Sequence, residues 1–365
     1  MRRLTGLMLV LGLVLGACGG TGASEETTAT TAAETTTTAA ETTTTAAETT
    51  TTSEAEPDEP LVLYSGRNEK FVQPVIDSFT AETGIEVDVR YAGTGELATT
   101  LTAEGESTPA DVFWAQDPAF IGGIAKQGLL TELPSDVLAL VEPRYADDDG
   151  RWVGITGRSR VLVYNTDLVS TDELPASVFD LVEPEWNGRF GVAPTNGSFV
   201  AFVTGMVLAE GEERTLEWVQ GIAANDPVIF DGNGPIVDAV VAGDLEAGLV
   251  NHYYLLQRIA QLGDVPAANH FFPSGDPGGL VMAAGAGVLA SSDQPEAAAQ
   301  FIRHLLSSES QAHFLTLFEY PLIAGVGGPE GQLPLAELPT LDISLTDTAD
   351  TLEPALRLIA EAGLT

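Results

Sequence analysis

The sequence has few positive charges. Of its 365 residues, only 15 are lysine or arginine, against 53 aspartate or glutamate, which gives a formal net charge of −38. This balance excludes nucleic acid as a partner, because binding phosphate groups needs basic patches. It would also repel anionic lipid head groups, and it raises the local concentration of cations near any cleft.

Cysteine and histidine are also scarce. The one cysteine, Cys18, excludes intramolecular disulfides and cysteine-rich metal sites. With only four histidines besides, a bound metal ion must rely mainly on oxygen ligands. The sequence also lacks the motifs of a nucleophile elbow, a zinc-protease helix and a phosphate-binding loop. An enzyme is therefore the least favoured of the functions that stay open.

The N-terminus has the pattern of an export signal. Arg2 and Arg3 precede an apolar stretch, residues 4–17, that is too short to span a membrane comfortably. The small residues at its end, just before Cys18, resemble the lipobox of bacterial lipoproteins. We therefore predict a signal peptide over residues 1–17 and lipidation of Cys18. The mature protein would be exported and anchored by lipid to the outer face of the cell membrane, or lie in the periplasm.

Threonine, alanine and glutamate dominate the stretch that follows. A Glu-Thr-Thr-Thr-Thr-Ala-Ala repeat begins at Glu34 and contains no large apolar residue. Such a segment can bury almost no apolar surface. Residues 18–60 are therefore predicted to form a disordered, lipid-anchored linker, and the folded part of the protein to begin at about residue 61.

Strand-like and helix-like segments alternate through the rest of the chain. The predicted strands are residues 61–64, 85–89, 110–114, 160–164, 190–193, 228–230, 245–250 and 285–290. The predicted helices are residues 71–79, 97–104, 215–224, 235–242, 254–261 and 295–306. This order predicts an α/β fold built on a parallel sheet. The length suits two lobes, with ligands bound in a cleft at the carboxyl ends of the strands.

Two adjacent tyrosines follow one of the buried predicted strands. Tyr253 and Tyr254 come after the apolar run 247–250 and the polar residues Asn251 and His252. Tyrosines in this position are often packing residues, but the end of a strand followed by a helix also lines a cleft. Because the pKa of tyrosine is about 10, a pair of tyrosines loses both protons readily only to a strongly polarising ion such as Fe(III). Two phenolates would leave one positive charge on Fe(III), which invites a bound anion.

The sequence here resembles the ferric-ion-binding subgroup of the extracellular solute-binding proteins that serve bacterial ABC iron transporters. The resemblance extends from about residue 61 to about residue 325. It rests on six stretches together with the lipobox, namely residues 64–69, 83–85, 107–113, 152–161, 194–199 and 251–254.

This resemblance implies the two-lobed, type II periplasmic-binding-protein fold, with hinged lobes around a central cleft. The implied N-terminal lobe is residues 61–158, completed by about 281–330. The implied C-terminal lobe is residues 159–280, with about 331–365 packing on it.

The resemblance also implies the ligands. Tyr253 and Tyr254 match the paired iron-ligating tyrosines of the family. The family holds an anion, phosphate or carbonate, with a loop at a helix start and with two asparagines. The residues that match those anion-binding positions are Asn196, Gly197, Ser198, Asn233 and Asn251.

The first lobe departs from the family pattern. Well-known members have a histidine where this chain has Asn68, and a glutamate where it has Gln116. Neutral amides are weak ligands of Fe(III), so these two residues are predicted to contribute little. Water, the anion, or the adjacent Glu69 or Asp117 would then complete the coordination.

Two arginines lie at the predicted boundary between the lobes. Arg158 and Arg160 are separated by one residue. Guanidinium groups bind small anions and carboxylates alike. Three roles are therefore open for them: binding the anion, latching the lobes, or forming a structural ion pair.

The expected function is capture of Fe(III) together with phosphate or carbonate. The protein would act as a monomeric, lipid-tethered receptor that delivers the metal to a membrane permease, with no organic cofactor. A binding protein of the same fold for a phosphonate or a cationic metabolite is the alternative, which the missing histidine and glutamate keep open. Tyrosinate ligands would make the ferric protein orange-red, and neither this alternative nor an enzyme predicts that colour.

Overall fold

The computed structural model describes residues 59–364. The predicted signal peptide, Cys18 and all but the end of the predicted linker lie outside the described residues and stay predictions. Within residues 59–364, every helix is either too short or too polar to serve as a membrane span.

Ten strands and ten helices make up the described part of the chain. The strands are β1 (Leu61–Ser65), β2 (Val87–Tyr91), β3 (Val112–Ala115), β4 (Val153–Asn165), β5 (Phe190–Val192), β6 (Val228–Ile229), β7 (Ala247–Asn251), β8 (Ala267–His270), β9 (Val281–Val288) and β10 (Tyr320–Pro321). The helices are α1 (Glu69–Thr83), α2 (Thr94–Glu104), α3 (Pro118–Lys126), α4 (Ser135–Leu138), α5 (Gly197–Ala224), α6 (Asn233–Ala242), α7 (Tyr253–Leu262), α8 (Pro295–Leu305), α9 (Ser308–Thr316) and α10 (Thr348–Glu361).

The strands form a mixed sheet in the order β2-β1-β3-β9-β4-β7-β5-β6, and β8 and β10 also pair with β4. Two groups are parallel, as the alternating pattern predicts: β1 pairs with β2 and β3, and β5 pairs with β6 and β7. The prediction of a parallel sheet is wrong for β4 and β9, which run antiparallel to their neighbours. A parallel neighbour needs a crossover that returns the chain to the same end of the sheet, whereas β4 and β9 each enter from the end opposite to that of their neighbours, including each other.

Strand β4 belongs to both halves of the sheet. All 13 of its residues are buried. Residues 153–159 pair with β9, whereas residues 160–165 pair with β7 and β8. The partner of β4 therefore changes between Ser159 and Arg160, and one extended strand carries the chain from one half of the sheet to the other. The lobe boundaries given above stay predictions.

Helix α10 contacts helices from both halves of the sheet. Helix α5 is interrupted at Gly211, where the backbone has φ 82° and ψ 165°. The sequence predicted only its second part, residues 215–224, because the first part is buried on nearly every side and shows no amphipathic period. Helix α10 packs against α5 and also against α3, where Lys126 and Asp350 form an ion pair of 2.5 Å. The last helix therefore contacts an element that follows β3 and one that follows β5.

A glycine in β4 offers a test of this packing. The β4–β9 register shifts between Gly154 and Thr156. A Cβ atom at Gly154 would lie 2.7 Å from the Tyr145 carbonyl oxygen and 2.8 Å from a Leu322 methyl group. We expect Gly154→Ala to lower the free energy of unfolding by about 1–3 kcal/mol, because overpacking forces the surrounding backbone to shift.

The matched control is Gly123→Ala in α3, where a Cβ atom would meet nothing within 4 Å. This change should be neutral or stabilising, since alanine is the better helix former. Urea unfolding of both variants measures the difference, and two variants of equal stability would contradict the packing described for β4.

Candidate functional site

A cleft of about 650 Å³ lies where several strands end and helices begin. What we call the first wall consists of Gly66, Arg67, Asn68, Phe71, Gly93, Thr94, Gly95, Gln116, Asp117, Phe120 and Glu319. What we call the second wall consists of Thr195, Asn196, Gly197, Ser198, Val200, Asn251, Tyr253 and Tyr254. Leu356 of α10 completes the lining.

Strand β7 ends at Asn251, and after one intervening residue, His252, the two tyrosines begin α7. Their rings are stacked, with centroids 4.4 Å apart and planes 25° apart. Burial raises the pKa of the Tyr253 hydroxyl well above its ordinary value, Tyr254 and Glu319 raise it further, and the charge of Arg158 opposes them. Tyr253 is therefore protonated at neutral pH.

Hydrogen bonds between three separate segments bring the predicted anion-binding residues together. Asn196 caps α5: its Oδ1 accepts hydrogen bonds from the Ser198 backbone N–H (3.0 Å) and hydroxyl (2.7 Å). Asn233 Nδ2 donates to Asn196 Oδ1 (3.2 Å) and to Ser198 Oγ (2.8 Å). Its Oδ1 accepts from the Asn251 backbone N–H (3.1 Å). Because Gly197 is exposed in the first turn of α5, the positive end of this helix faces the cleft, which suits an anion.

Arg160 of β4 lies buried behind this loop. Its Nη1 donates to three oxygen atoms: Asn233 Oδ1 (3.2 Å), Asn251 Oδ1 (3.3 Å) and Ser198 Oγ (3.4 Å). Its Nη2 donates to the Leu249 carbonyl (2.7 Å). Burial lowers the pKa of Arg160 to about 9, although the nearby tyrosines partly oppose this shift. The guanidinium still carries its charge at neutral pH, so the asparagine loop has a cation directly behind it.

Arg158 is also buried, two residues earlier in β4. Its Nη2 donates to the Gln116 carbonyl, and its Nη1 has no hydrogen-bond partner in the described part of the chain. Burial lowers the pKa of Arg158, and the nearby charge of Arg67 lowers it further. Among residues 59–364, neither Arg158 nor Arg160 has a carboxylate as an ion-pair partner. A structural ion pair is therefore not their role, and binding an anion or latching the walls remain.

The predicted ligands of the first wall are engaged elsewhere. Asn68 caps α1, where its Oδ1 accepts from the backbone N–H two residues on (3.1 Å). Gln116 Oε1 accepts from Arg67 Nη1 (2.7 Å), and the Asp117 carboxylate caps α3. In the described structure Glu69 is exposed and lies outside the cleft lining. The first wall therefore offers a cation only weak or already bonded oxygen atoms.

The first wall also contains a buried ion pair that the sequence does not predict. Arg67 Nη2 lies 2.7 Å from both carboxylate oxygens of Glu319, and the two side chains are 2% and 3% exposed. Thr156 Oγ1 also donates to Glu319 Oε2 (2.5 Å). Burial alone would raise the pKa of Glu319, but the charge of Arg67 and these hydrogen bonds outweigh it and hold the pKa below its usual range. Because 252 positions separate the partners, no local pattern signals the pair.

Metal-ligating side chains of the usual kinds are not clustered here. Within the described range, no group of three or more histidine, cysteine, aspartate or glutamate side chains is placed to hold a metal ion. The candidate ligands are instead the phenol oxygens of Tyr253 and Tyr254, with room for an external anion at the start of α5. Oxygen ligands of this kind suit a hard, strongly polarising cation.

Comparison with known proteins identifies the family. The sequence model of the bacterial extracellular solute-binding proteins matches residues 64–312. The chain belongs to this family. The relatives described next are binding proteins by name, which confirms the prediction that this solute-binding protein is not an enzyme.

Two named relatives and a solved structure are close in sequence. The Fe(3+)-binding periplasmic protein of Serratia marcescens is 34% identical over 316 residues, covering 85% of this chain and 92% of that protein. The major ferric iron-binding protein of Neisseria meningitidis serogroup B is 33% identical over 311 residues, covering 83% and 93%. Iron-bound HitA from Pseudomonas aeruginosa matches with a TM-score of 0.79 at 36% identity, covering 83% of this chain and 99% of that one. The resemblance stated from the sequence and the two-lobed fold are both confirmed.

The Arg67–Glu319 pair of this solute-binding protein generates a stability prediction. Glu319→Gln leaves a buried guanidinium without its counter-charge, so we expect the free energy of unfolding to fall by about 3 kcal/mol or more. The control is Glu361→Gln, which breaks an exposed pair with Arg357 and should cost less than about 1 kcal/mol. Denaturant unfolding at neutral pH compares the two.

The same experiment has a pH arm. A carboxylate whose pKa is lowered by folding stabilises the protein above its unfolded pKa, and this contribution is lost as the pH falls through the folded value. The unmodified protein should therefore lose part of its stability on acidification, and Glu319→Gln should lose less. Parallel pH profiles for the two proteins would show that Glu319 carries no such linkage.

Proposed function

We propose that this chain is the substrate-binding protein of an ABC-type iron importer, and that its cleft captures Fe(III) together with an anion. The observation that carries the proposal is the stacked Tyr253–Tyr254 pair on the second wall, beside a helix N-terminus and buried arginines. The names of the relatives support it, since the proteins of Serratia and Neisseria are ferric iron-binding and the HitA structure holds iron.

Charge balance supports an anion as the partner of the metal. Two phenolates leave one positive charge on Fe(III), and Arg158 and Arg160 add buried positive charge beside it. Phosphate or carbonate at Asn196, Gly197 and Ser198 would offset this excess, because backbone N–H groups at a helix start bind anions. The anion-stabilising groups of the second wall are thus asparagine, serine and backbone donors with an arginine behind them.

The first wall is proposed to cover the metal without supplying a strong ligand. Asn68 and Gln116 are neutral and already hydrogen-bonded, and Glu69 lies outside the lining of the cleft in the described residues. The remaining coordination positions of Fe(III) would then be filled by the anion and by water. This arrangement fits a carrier that must also release its cargo.

The location of the protein follows from segments that the sequence alone supports. A signal peptide over residues 1–17, lipidation at Cys18 and a linker up to residue 60 would tether a monomeric receptor outside the cell membrane. Loaded protein would then meet its permease by diffusion within reach of the tether. The relatives named periplasmic support an exported location.

A phosphonate-binding protein of the same fold is the second candidate. Arg158 and Arg160, buried and without carboxylate partners in the described part of the chain, favour an anionic ligand. A metal-free phosphonate gives the tyrosine pair no role in the binding, and it gives no visible absorption band. The same two cations disfavour a cationic metabolite.

We expect Tyr253→Phe and Tyr254→Phe each to lose most of the visible absorbance of the ferric protein, because tyrosinate-to-iron charge transfer needs the phenolate oxygen. The fold should be kept, since the stacked rings remain. Absorption spectroscopy during titration with a labile ferric chelate measures the loss. Asn68→Ala on the first wall is the control and should keep the band and nearly all of the affinity. Unchanged spectra in both tyrosine variants would assign the pair to packing.

Iron binding is also expected to depend on anion and pH. Without phosphate or bicarbonate the site keeps excess positive charge and should hold iron loosely. Protons compete with Fe(III) for the phenolates, and the raised pKa of Tyr253 makes that competition stronger, so affinity should fall as the pH falls. Anion-stripped protein is titrated with a labile ferric chelate, with and without phosphate or bicarbonate, at neutral and mildly acidic pH. Equal affinity in all four conditions would refute the joint binding of metal and anion.

A further inference from the structure

His252 is fully buried between the two walls of the cleft. Its ring lies stacked on Tyr320, with centroids 4.6 Å apart and planes 29° apart. The ring of Tyr253 meets it edge-on at 5.7 Å. The residue next to the proposed iron ligands is therefore packed against β10, which belongs with the first wall.

Backbone hydrogen bonds hold His252 from several sides. Its backbone N–H donates to the Ser159 carbonyl (3.0 Å), and the Ser159 N–H donates to Nδ1 of the ring (3.2 Å). The carbonyl of His252 accepts from Asn269 Nδ2 (2.9 Å). Across the cleft base, Nε2 lies 2.8 Å from the Phe318 carbonyl oxygen. Ser159 is where β4 changes its pairing partner, so this histidine is clamped at the junction of the two halves of the sheet.

These partners fix the tautomer of the ring. A backbone N–H can only donate, so Nδ1 must accept from Ser159. A carbonyl oxygen can only accept, so Nε2 must carry the hydrogen that bonds to Phe318. Burial lowers the pKa of His252 to about 4, which is consistent with a neutral ring. The Nε2–H group therefore donates its hydrogen bond to the Phe318 carbonyl, next to Glu319 of the first wall.

The residues around Phe318, whose carbonyl accepts this hydrogen bond, also contribute to the cleft. Phe318 has φ 66°, a left-handed conformation that a phenylalanine adopts only when its surroundings hold it there. The next residue is Glu319, whose carboxylate bonds to Arg67 and Thr156. A continuous set of contacts therefore leads from Tyr253, through His252 and the Phe318 carbonyl, to the Arg67–Glu319 pair.

We infer that His252 is a positioning residue: its Nε2–H bond to the Phe318 carbonyl holds the tyrosine pair in a fixed position relative to the Arg67–Glu319 pair of the first wall, and thereby slows the release of iron. The inference rests on the proposed function for its cargo. The positioning itself is a property of the protein without iron, so it can be tested separately.

Two conservative variants separate the two ring nitrogens. In His252→Gln the amide nitrogen reaches the place of Nε2, so the bond to Phe318 is kept and the bond from Ser159 is lost. In His252→Asn the short amide reaches only the place of Nδ1, so the bond to Phe318 is lost. His252→Phe keeps a ring against Tyr320 but makes neither bond.

We expect iron release to a competing chelator to be about tenfold faster in His252→Asn and His252→Phe than in the unmodified protein, the effect of losing about 1.4 kcal/mol. His252→Gln should restore release to within about threefold of the original rate. The charge-transfer band should shift in the Asn and Phe variants and return in Gln. The control is His270→Asn, which removes a similar bond to the Pro175 carbonyl within one half of the sheet and should leave release unchanged.

Hydrogen exchange of the iron-free proteins gives the independent readout. The backbone amides of residues 257–260, which bond to the carbonyls of the first turn of α7, should exchange faster in the Asn and Phe variants than in Gln, because the start of α7 has lost its anchor. The inference would be overturned if His252→Gln and His252→Asn had the same rates of amide exchange and of iron release. It would also be overturned if His252→Asn kept the rates of the unmodified protein. If His252→Asn does not fold, the comparison of Phe with Gln decides in the same way. An unmodified protein without an iron band would contradict the proposed function, and the exchange result would still stand.

Discussion

The second wall of the cleft is organised around one buried guanidinium. Arg160 donates hydrogen bonds to oxygen atoms at the start of α5, at the start of α6 and in β7. It has no carboxylate partner among the described residues. A buried charge without hydrogen-bond partners would cost several kcal/mol, so these oxygen atoms must stay in place. That requirement fixes Asn233 and Asn251, and through the cap at Asn196 it fixes the first turn of α5. The tyrosines follow directly from the end of β7 and take their position from the same arrangement.

The two walls differ in how their charges are balanced. On the first wall, Arg67 is paired with Glu319, and the carboxylate of Asp117 is bonded to the start of α3. Arg158 and Arg160 have no carboxylate among their hydrogen-bond partners in the described residues: Arg158 donates to the Gln116 carbonyl of the first wall, and Arg160 donates to oxygen atoms of the second wall. The proposed cargo would therefore find its electrostatic complement on the second wall, where phenolates and an anion can both be placed close to the buried charge of Arg160. The charges of the first wall are already neutralised, and in the proposed function this wall covers the metal without supplying a strong ligand.

Local sequence patterns predicted what depends on short stretches of chain. The buried run before Asn251 and the helix after it place Tyr253 and Tyr254 at the cleft, as strand–helix junctions do in such sheets. The second strand was placed at residues 85–89 and lies at Val87–Tyr91, because an alternating pattern fixes the faces of a strand better than its ends. Asn68 was read as a weak ligand, although an asparagine just before a helix is a preferred capping residue, and capping is what it does.

Patterns failed where distant parts of the chain decide the structure. The first half of α5 was missed because it is buried on nearly every side, so that no polar face marks the helix period. Glu319 and Arg67 are 252 positions apart, and no sequence pattern near either residue predicts their ion pair. Only the packed sheet brings the Phe318 carbonyl to His252. The antiparallel entry of β4 and β9 likewise depends on how the two halves are joined, which the alternation of strands and helices does not contain.

The contrast between the acidic exterior and the buried arginines constrains how cargo is captured. A formal net charge of −38 attracts free cations from a distance and repels anions. Screening at physiological salt confines interactions between exposed charges to about 8 Å, whereas buried charges are screened much less. Attraction for an anion is therefore restricted to the interior of the cleft, behind Asn196 and Asn233, while attraction for a cation extends over the surface. An anion enters such a cleft most easily when a cation neutralises it, and the cation stays only when the anion balances its remaining charge. The proposed joint binding of metal and anion thus rests on where the protein places its charges, and not on the tyrosines alone.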